Sequence, residues 1–428
     1  MEETMIDRRR VLRRIALAGG AAFLPLGRYG WALAGTQAAP KRLVVVMLRG
    51  AVDGLSVVVP YREAAYAGSR PTIALGPPGS DGGVIDLDGQ FGLHPALQSL
   101  MPLWQQQRLA FIQASGSSDP SRSHFDAQRY METATPGLDT TSDGWMNRLV
   151  GALPGAHGPT EAVSVGPTRP RILMGAQPAT NLALGKNAAA PLPVDRPAVA
   201  DAFAQLYDGS DPLSQAFQQG QASRHELLDD MQADGTGAAD TKAADEQRRA
   251  DNGAPPPDGF PQVAARLAGL LRQDPRIQLA FVDLGGWDTH VNQGNAKGQL
   301  ANHLAPLGQG LAALAAGLGP QLDDTVVLVM SEFGRTVHEN GNGGTDHGHG
   351  NVMWAMGGKV AGGRVYGQWP GLDTGALYQA RDLAVTTDFR SVVGLVLERH
   401  LRLDDRALAN VIPAVPPVDA SLGRLMRA

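Results

Sequence analysis

Val326-Val327-Leu328-Val329-Met330-Ser331-Glu332-Phe333-Gly334-Arg335-Thr336 opens as an unbroken aliphatic run and ends in a carboxylate, a glycine and an arginine. A short, β-branched run of this kind reads as a strand buried on both faces, the signature of a parallel sheet. In open α/β sheets the loops at the carboxyl ends of the strands carry the chemistry. The segment that follows, Thr345-Asp346-His347-Gly348-His349-Gly350, brings an Asp and two His in a glycine-rich loop. The other strand ends are the places to look for further oxygen and nitrogen ligands.

Upstream, Arg276 to Leu284 reads as a strand that ends in Gly285-Gly286-Trp287-Asp288-Thr289-His290. Arg42 to Leu48 reads as the first strand, and Asp53 follows it between flexible glycines. Leu109 to Ala114 reads as the second, leading through Ser115–Arg122 to Ser123-His124-Phe125. Ala162 to Val165 is a further short strand. Helical periodicity covers about 96–106, 125–133, 143–153, 260–271, 302–318 and 388–401. Strands alternating with helices predict an α/β fold: a three-layer sandwich with a mostly parallel central sheet and helices on both faces. Residues 60–95 form an irregular Pro/Gly-rich excursion in which Asp86-Leu87-Asp88-Gly89 fits a hairpin turn. Residues 199–258 read as a polar helical insertion that ends in the flexible link Asp251-Asn252-Gly253-Ala254-Pro255-Pro256-Pro257. Domain organisation is therefore 1–39 as a targeting segment and 40–428 as one α/β domain carrying that insertion.

The chain has 428 residues, 18% charged and 43% hydrophobic, with a net charge of −5. That profile is soluble and globular, and no basic stripe marks nucleic acid as a partner. The absence of cysteine excludes disulfides, zinc–thiolate sites and cysteine nucleophiles. Asp7-Arg8-Arg9-Arg10-Val11-Leu12-Arg13 resembles a twin-arginine export motif. It is followed by the apolar stretch Ile15–Leu26 and the small-residue cleavage site Ala32-Leu33-Ala34. The apolar stretch falls short of the ~20 residues a spanning helix needs. The expectation is a periplasmic or secreted protein without a stable membrane span, whose precursor engages the twin-arginine export machinery.

Asp288-x-His290 and Asp346-His347-x-His349, with Asp53 and Glu332, supply hard oxygen and borderline nitrogen donors from separate strand ends. Mixed carboxylate–imidazole shells suit zinc, manganese or iron, and carboxylate-rich ones suit calcium or magnesium. Ser123 stands where a helix N-cap belongs, with Asp126 three residues on. The same place suits a nucleophile facing an oxyanion, since a helix N-terminus stabilises anions. Arg122 is placed to clamp such an anion. Arg335 reads either as a second clamp or as an ion pair at a helix start. His94, which opens a helix with Pro95, reads as structural or as a substrate contact, and His303 and His338 as surface residues.

These motifs, in this order, resemble the alkaline phosphatase/sulfatase superfamily. More closely, residues 40–400 resemble a twin-arginine-exported family catalogued as domain of unknown function 1501. Ser123-His124-Phe125, Gly286-Trp287-Asp288-Thr289-His290, Ser331-Glu332-Phe333-Gly334-Arg335 and Asp346-His347-Gly348 match its recurrent segments. The resemblance implies a metal set drawn from Asp53, Asp288, His290, Glu332, Asp346, His347 and His349, holding zinc, calcium, manganese or magnesium. It implies a catalytic group of Ser123, Arg122, His124 and Arg335 acting on a small-molecule or glycan phosphate or sulfate ester. Ser118, Ser121 and a water activated by the metal are the other candidate nucleophiles. Phe333 stands where the superfamily has a metal-binding histidine, which leaves a full two-metal site dependent on Asp346 or His349. Ser118-Asp119-Pro120-Ser121-Arg122 matches a sulfatase modification motif only by chance, since the rest of the sulfatase pattern is missing and there is no cysteine. The rival expectation is a non-catalytic, metal-stabilised binding or assembly protein on the same fold.

Overall fold

The computed structural model describes residues 40–155, 157–166, 168–182 and 250–427. The expected export segment (1–39) and most of the expected insertion (199–249) lie outside the described residues. Twelve strands appear among those described, in chain order β1 (Arg42–Leu48), β2 (Val58–Val59), β3 (Ile85–Asp86), β4 (Gly92–Leu93), β5 (Leu109–Gly116) and β6 (Ala162–Val165). They continue as β7 (Thr180–Leu182), β8 (Leu279–Leu284), β9 (Thr325–Ser331), β10 (Asn351–Gly357), β11 (Arg364–Tyr366) and β12 (Thr387–Asp388). The helices that matter for the site and its support are α1 (His124–Thr133), α2 (Trp145–Ala152), α3 (Phe260–Gln273), α4 (Gln299–Leu318), α5 (Phe389–Arg399) and α6 (Asp405–Val411).

The main sheet runs β11-β5-β10-β9-β1-β8-β6-β7, with β12 paired to β5. β1 is central and parallel to both neighbours, so that Val45 faces Phe281 on one side and Leu328 on the other. All seven residues of β1 and all seven of β9 are buried, as an interior parallel strand requires. Alternation along β1 sends Val44, Val46 and Leu48 to one face, against Leu267 of α3 and Leu304 and Leu311 of α4. Leu43, Val45 and Met47 go to the other, against Trp145 and Leu149 of α2, Phe389 and Val396 of α5 and Val411 of α6. Each such side chain contributes about 1.5–3 kcal/mol by leaving water. Two separate apolar layers across one sheet make the three-layer sandwich.

The parallel pattern has one exception. β10 is antiparallel to both β5 and β9. Its sequence, Asn351-Val352-Met353-Trp354-Ala355-Met356-Gly357, holds a single β-branched residue, so the run gives little strand signal on its own. It exists because the loop after β9 doubles straight back. Gly334 and Gly348 make that reversal possible: a Cβ on Gly334 would lie 1.7 Å from the carbonyl oxygen of Gly350, and one on Gly348 would lie 2.4 Å from the backbone of Arg335. The excursion at 60–95 closes as the expected hairpin, with Asp86 opposite Gly92 in a small second sheet of β2, β4 and β3. No helix among the described residues is long and apolar enough to cross a membrane.

Two histidines are structural. His94 is fully buried as the N-cap of the helix at Pro95; its Nδ1 accepts from Ala96 N at 3.1 Å and its Nε2 donates to Asn295 O at 3.0 Å. His400 donates from Nε2 to Arg42 O at 2.9 Å. Burial holds both down to about 4. The unfolded chain takes up these protons near the ordinary value of about 6.5, before the folded chain does. Their stabilisation is therefore complete above that pH and is lost as pH falls toward 4, by about 1.4 kcal/mol per pH unit for each group. Urea unfolding of the parent and of His400→Gln, which keeps a donor, at pH 7, 6 and 5 should show the gap between their stabilities change by up to about 1.4 kcal/mol per pH unit, the variant losing less stability than the parent as pH falls.

Candidate metal centre

Four loops leave the carboxyl ends of the strands on one edge of the sheet. β5 leads to α1 and His124; β8 leads to Asp288 and His290; β9 leads to Glu332 and then to His347; β1 leads to Gly50, Ala51 and Asp53. An isolated antiparallel bridge pairs Arg335 with His347 and brings the histidine back over the strand end.

Three imidazoles and one carboxylate meet there. His347 Nε2 lies 3.0 Å from His124 Nε2 and 3.0 Å from His290 Nε2. Asp288 Oδ1 lies 3.1 Å from His290 Nε2, 3.4 Å from His347 Nε2 and 3.6 Å from His124 Nε2. The opposite nitrogen of each ring is occupied. His124 Nδ1 lies 2.8 Å from Glu332 Oε1, His290 Nδ1 lies 3.1 Å from Asp346 Oδ1, and His347 Nδ1 lies 2.8 Å from the carbonyl oxygen of Arg122. All three partners are acceptors, since both carboxylates are held below their usual range. Each Nδ1 must therefore carry the hydrogen. In neutral rings the Nε2 lone pairs then point at one another and at an anionic oxygen. That arrangement is repulsive unless a cation sits among them.

Without a metal, protons fill that role. Burial alone would lower His124, but Asp288 and Glu332 outweigh it and hold the ring up to about 9. His290 is raised as well, chiefly by Asp288. Burial would raise Asp288, yet the three imidazoles and Arg335 hold it far below the carboxylate range. The donor set also fits a metal. His124, Asp288 and His347 form a group able to hold an ion, with spacings of 3.0, 3.4 and 3.6 Å. A tetrahedral ion with bonds of about 2.0–2.1 Å keeps its donors roughly 3.3 Å apart. A hydrogen bond from each imidazole's Nδ1 to a carboxylate or carbonyl is the usual outer support of a metal-binding histidine.

The remaining residues singled out from sequence fall into different places. Glu332 is fully buried, and its Oε1 accepts from Gly50 N at 2.8 Å, Gln128 Nε2 at 2.9 Å and His124 Nδ1 at 2.8 Å. It orients His124 instead of facing the centre itself. Asp346 does the same for His290 and is tied to Asn340 Nδ2 at 3.0 Å. Asp53 stands apart from the donor group. Its Oδ2 accepts from Arg70 Nη1 at 2.5 Å, from Ser56 Oγ at 2.7 Å and from Gln293 Nε2 at 2.7 Å, and its Oδ1 accepts from Arg70 Nη2 at 3.0 Å. A carboxylate so fully bonded to a buried guanidinium has little left for a metal. His349 also stands apart, stacked on Tyr378 at 4.4 Å between ring centres. Ser123 is exposed and caps α1, accepting from Asp126 N at 3.4 Å. Arg122 donates to Asp382 Oδ2 from Nη2 at 2.5 Å and to Gln379 Oε1 at 2.8 Å.

Arg335 is not an open clamp. It is buried, and its guanidinium donates to Ala51 O at 2.6 Å, Thr345 O at 3.2 Å, Trp287 O at 3.2 Å and Asp288 Oδ1 at 2.6 Å, and also to Gly50 O. Phe333, which cannot ligate, forms a wall with its ring centre 4.8 Å from that of His124 and 5.2 Å from that of His347. Several residues around the centre gave no signal in the sequence. Arg49, Arg70 and Gln128 are polar side chains in stretches read only as a turn, an irregular excursion and a helix. Asp251, buried and pushed up to about 7 by that burial, belongs to the stretch read as a flexible link; its Oδ1 accepts from Gly286 N at 2.9 Å.

Residues 40–415 match the family model "Protein of unknown function (DUF1501)", and the chain belongs to that family. Among curated proteins none matches it. Solved structures that resemble it include Ps i-CgsB in complex with k-i-k-neocarrahexaose, at 11% identity over 77% of this chain and 68% of that one, with a TM-score of 0.35. The zinc complex of the C-terminal periplasmic domain of EcEptC from Escherichia coli is 12% identical over 76% of this chain and 74% of that one, TM-score 0.33. The lipoteichoic acid synthase LtaP from Listeria monocytogenes is 9% identical over 82% and 75% of the two chains, TM-score 0.31. Scores of this size bear on neither substrate nor mechanism, which the site itself has to supply.

Arg335→Ala should therefore destabilise the metal-free protein by about 3–5 kcal/mol, because it leaves four carbonyls without their donor and Asp288 without its cation. Arg335→Lys should recover only part of the loss, since an ammonium cannot reach so many acceptors at once. Urea unfolding measures both, and an Arg335→Ala protein as stable as the parent would return this residue to the substrate side of the site.

Proposed function

We propose that the protein is a zinc-dependent hydrolase of phosphate or sulfate esters. The observation that carries the reading is the convergence of His124, His290 and His347 Nε2 on Asp288 Oδ1, each ring with its Nδ1 hydrogen committed outward. A nitrogen-rich set favours zinc over calcium and magnesium, which prefer shells of oxygen. Three protein ligands, His124, Asp288 and His347, leave a coordination position open, as catalytic zinc sites do. A zinc ion held there would polarise an ester oxygen and lower the pKa of a nearby water or hydroxyl.

The chain's own groups complete the chemistry. Ser123 presents an exposed hydroxyl next to His124, held only by a long capping bond, and is the candidate nucleophile. Arg122 and Arg381 flank His347: the carbonyl of Arg122 accepts from its Nδ1, and Arg381 Nη2 donates to its backbone oxygen at 2.5 Å. Their side chains are 29% and 42% exposed, and both bind the buried carboxylate of Asp382. Two guanidinium groups fixed in this way offer outward donors to a tetrahedral oxyanion. His290 is the most open of the three imidazoles, at 38%, and is placed to hold a proton at Nε2 for the leaving group. The twin-arginine-like N-terminus supports export to the periplasm or beyond, after folding and metal uptake.

The alternative, a metal-stabilised binding or assembly protein, is favoured by one observation: the Ser123 hydroxyl already serves as a helix cap. Elemental analysis should find about one zinc per chain, and His347→Ala should weaken zinc binding at least 100-fold. Against aryl phosphates and aryl sulfates, Arg381→Ala should raise KM about tenfold, a loss near 1.4 kcal/mol, while Ser123→Ala should abolish turnover. A metal-replete protein inert toward both ester classes would favour the binding-protein reading, and turnover surviving Ser123→Ala would pass the nucleophile to water.

A further inference from the structure

We propose that Gln128, which no motif marks, is a positioning residue for the metal centre: a neutral strut that keeps Glu332 bound to His124. The inference rests on the metal-centre reading above. Gln128 lies one turn along α1 from His124 and is buried. Its Oε1 accepts from Arg49 Nη1 at 2.9 Å, and its Nε2 donates to Glu332 Oε1 at 2.9 Å and to Ala250 O at 2.7 Å. Only one orientation of the amide is chemically possible. Arg49 has no acceptor to offer and an ionised Glu332 has no donor, so the carbonyl must face the arginine and the NH2 the carboxylate. Every hydrogen-bonding position of the amide used here is thus dictated by its neighbours.

Arg49 shows why the spacer is needed. This buried guanidinium already binds Glu132 Oε1 at 2.9 Å and Asp283 Oδ2 at 2.9 Å. A direct Arg49–Glu332 pair would engage the carboxylate that orients His124. Interposing an amide passes on a hydrogen bond and withholds the charge. Glu332 then has His124 as its one ionic partner among the hydrogen bonds it makes, and the imidazole keeps its Nδ1 hydrogen directed at Oε1 and its Nε2 at the centre. The consequence is local. Loss of the Gln128 donor frees Glu332 to shift and lets the ring of His124 turn, while the sheet and its apolar layers stay as they are.

Gln128→Leu removes both polar ends at similar volume; Gln128→Glu keeps the acceptor for Arg49 and turns the donor into a second carboxylate against Glu332. Removal of such outer support typically costs 10–100-fold in metal affinity. Zinc affinity should fall by that factor in Gln128→Leu and by at least as much in Gln128→Glu, measured by chelator competition on protein whose melting temperature is recorded alongside. In metal-free protein, 1H–15N spectra of the imidazoles should show the His124 Nδ1–H signal in the parent and its shift or loss in both variants. If Gln128→Leu does not fold, Gln128→Glu decides by the same criteria. A folded variant with zinc affinity within threefold of the parent and an unmoved His124 signal overturns the proposal. A parent chain that binds no zinc overturns the metal-centre reading and this inference with it, whereas a parent that binds and variants that bind equally well overturn this inference alone.

Discussion

The guanidinium of Arg335 is the contact on which the geometry of the centre depends. It binds carbonyls from the loop after β1, the loop after β8 and the loop after β9, and it also binds the side chain of Asp288. Those loops are far apart in sequence, and their carbonyls face inward, where water is excluded. An arginine can meet several such acceptors because its donors are spread over a rigid plane. The same plane fixes the carboxylate of Asp288 before any ion arrives. A carboxylate held in this way would pay little ordering entropy on binding an ion, which is what preorganisation of a site means physically.

Charge balance explains why the centre lies where it does. Asp251 aside, the buried and half-buried carboxylates around it that make ion pairs have guanidinium partners: Asp53 has Arg70, Glu132 and Asp283 share Arg49, Asp288 has Arg335 and Asp382 has Arg122. Glu332 differs. It is fully buried and held at about 2 mainly because His124 offsets the cost of its burial, with Gln128 assisting. An ionised carboxylate in that position needs positive charge on or near the imidazole. A proton on His124 supplies it in the free chain, and a metal at Nε2 would supply it in the loaded one.

Much of this was legible in the sequence, and the limits have physical causes. β1 and β9 declared themselves because a strand buried on both faces needs an unbroken aliphatic run, and the glycine-rich ends marked where the loops turn. β10 did not, since its partners on either side and not its own residues make it a strand. Asp288, His290 and His347 stood out because Asp-x-His and Asp-His-x-His place donors within a few residues of one another. Asp53 looked equivalent, and the difference lies 17 positions away in Arg70, which reaches both of its oxygens. Nothing in a strand-end Asp-Gly pair reveals whether a guanidinium will arrive from elsewhere in the chain.

An acidic residue at the end of a parallel strand thus has two fates, and the partner decides between them. Where an arginine meets both oxygens, as at Asp53, the carboxylate becomes an internal support. Where an arginine meets one edge only, as at Asp288, the oxygen remains able to face imidazoles. Histidines divide by the same logic. His94 and His400 use Nε2 as a donor to a backbone carbonyl and are held neutral by burial, so neither offers a lone pair at that atom. His124, His290 and His347 spend Nδ1 on an acceptor and keep Nε2 for the centre. The side of the ring engaged by the surroundings, more than the identity of the residue, separates a structural histidine from one whose Nε2 faces the centre. For His124 that side is set by Glu332, which also accepts a hydrogen bond from Gln128.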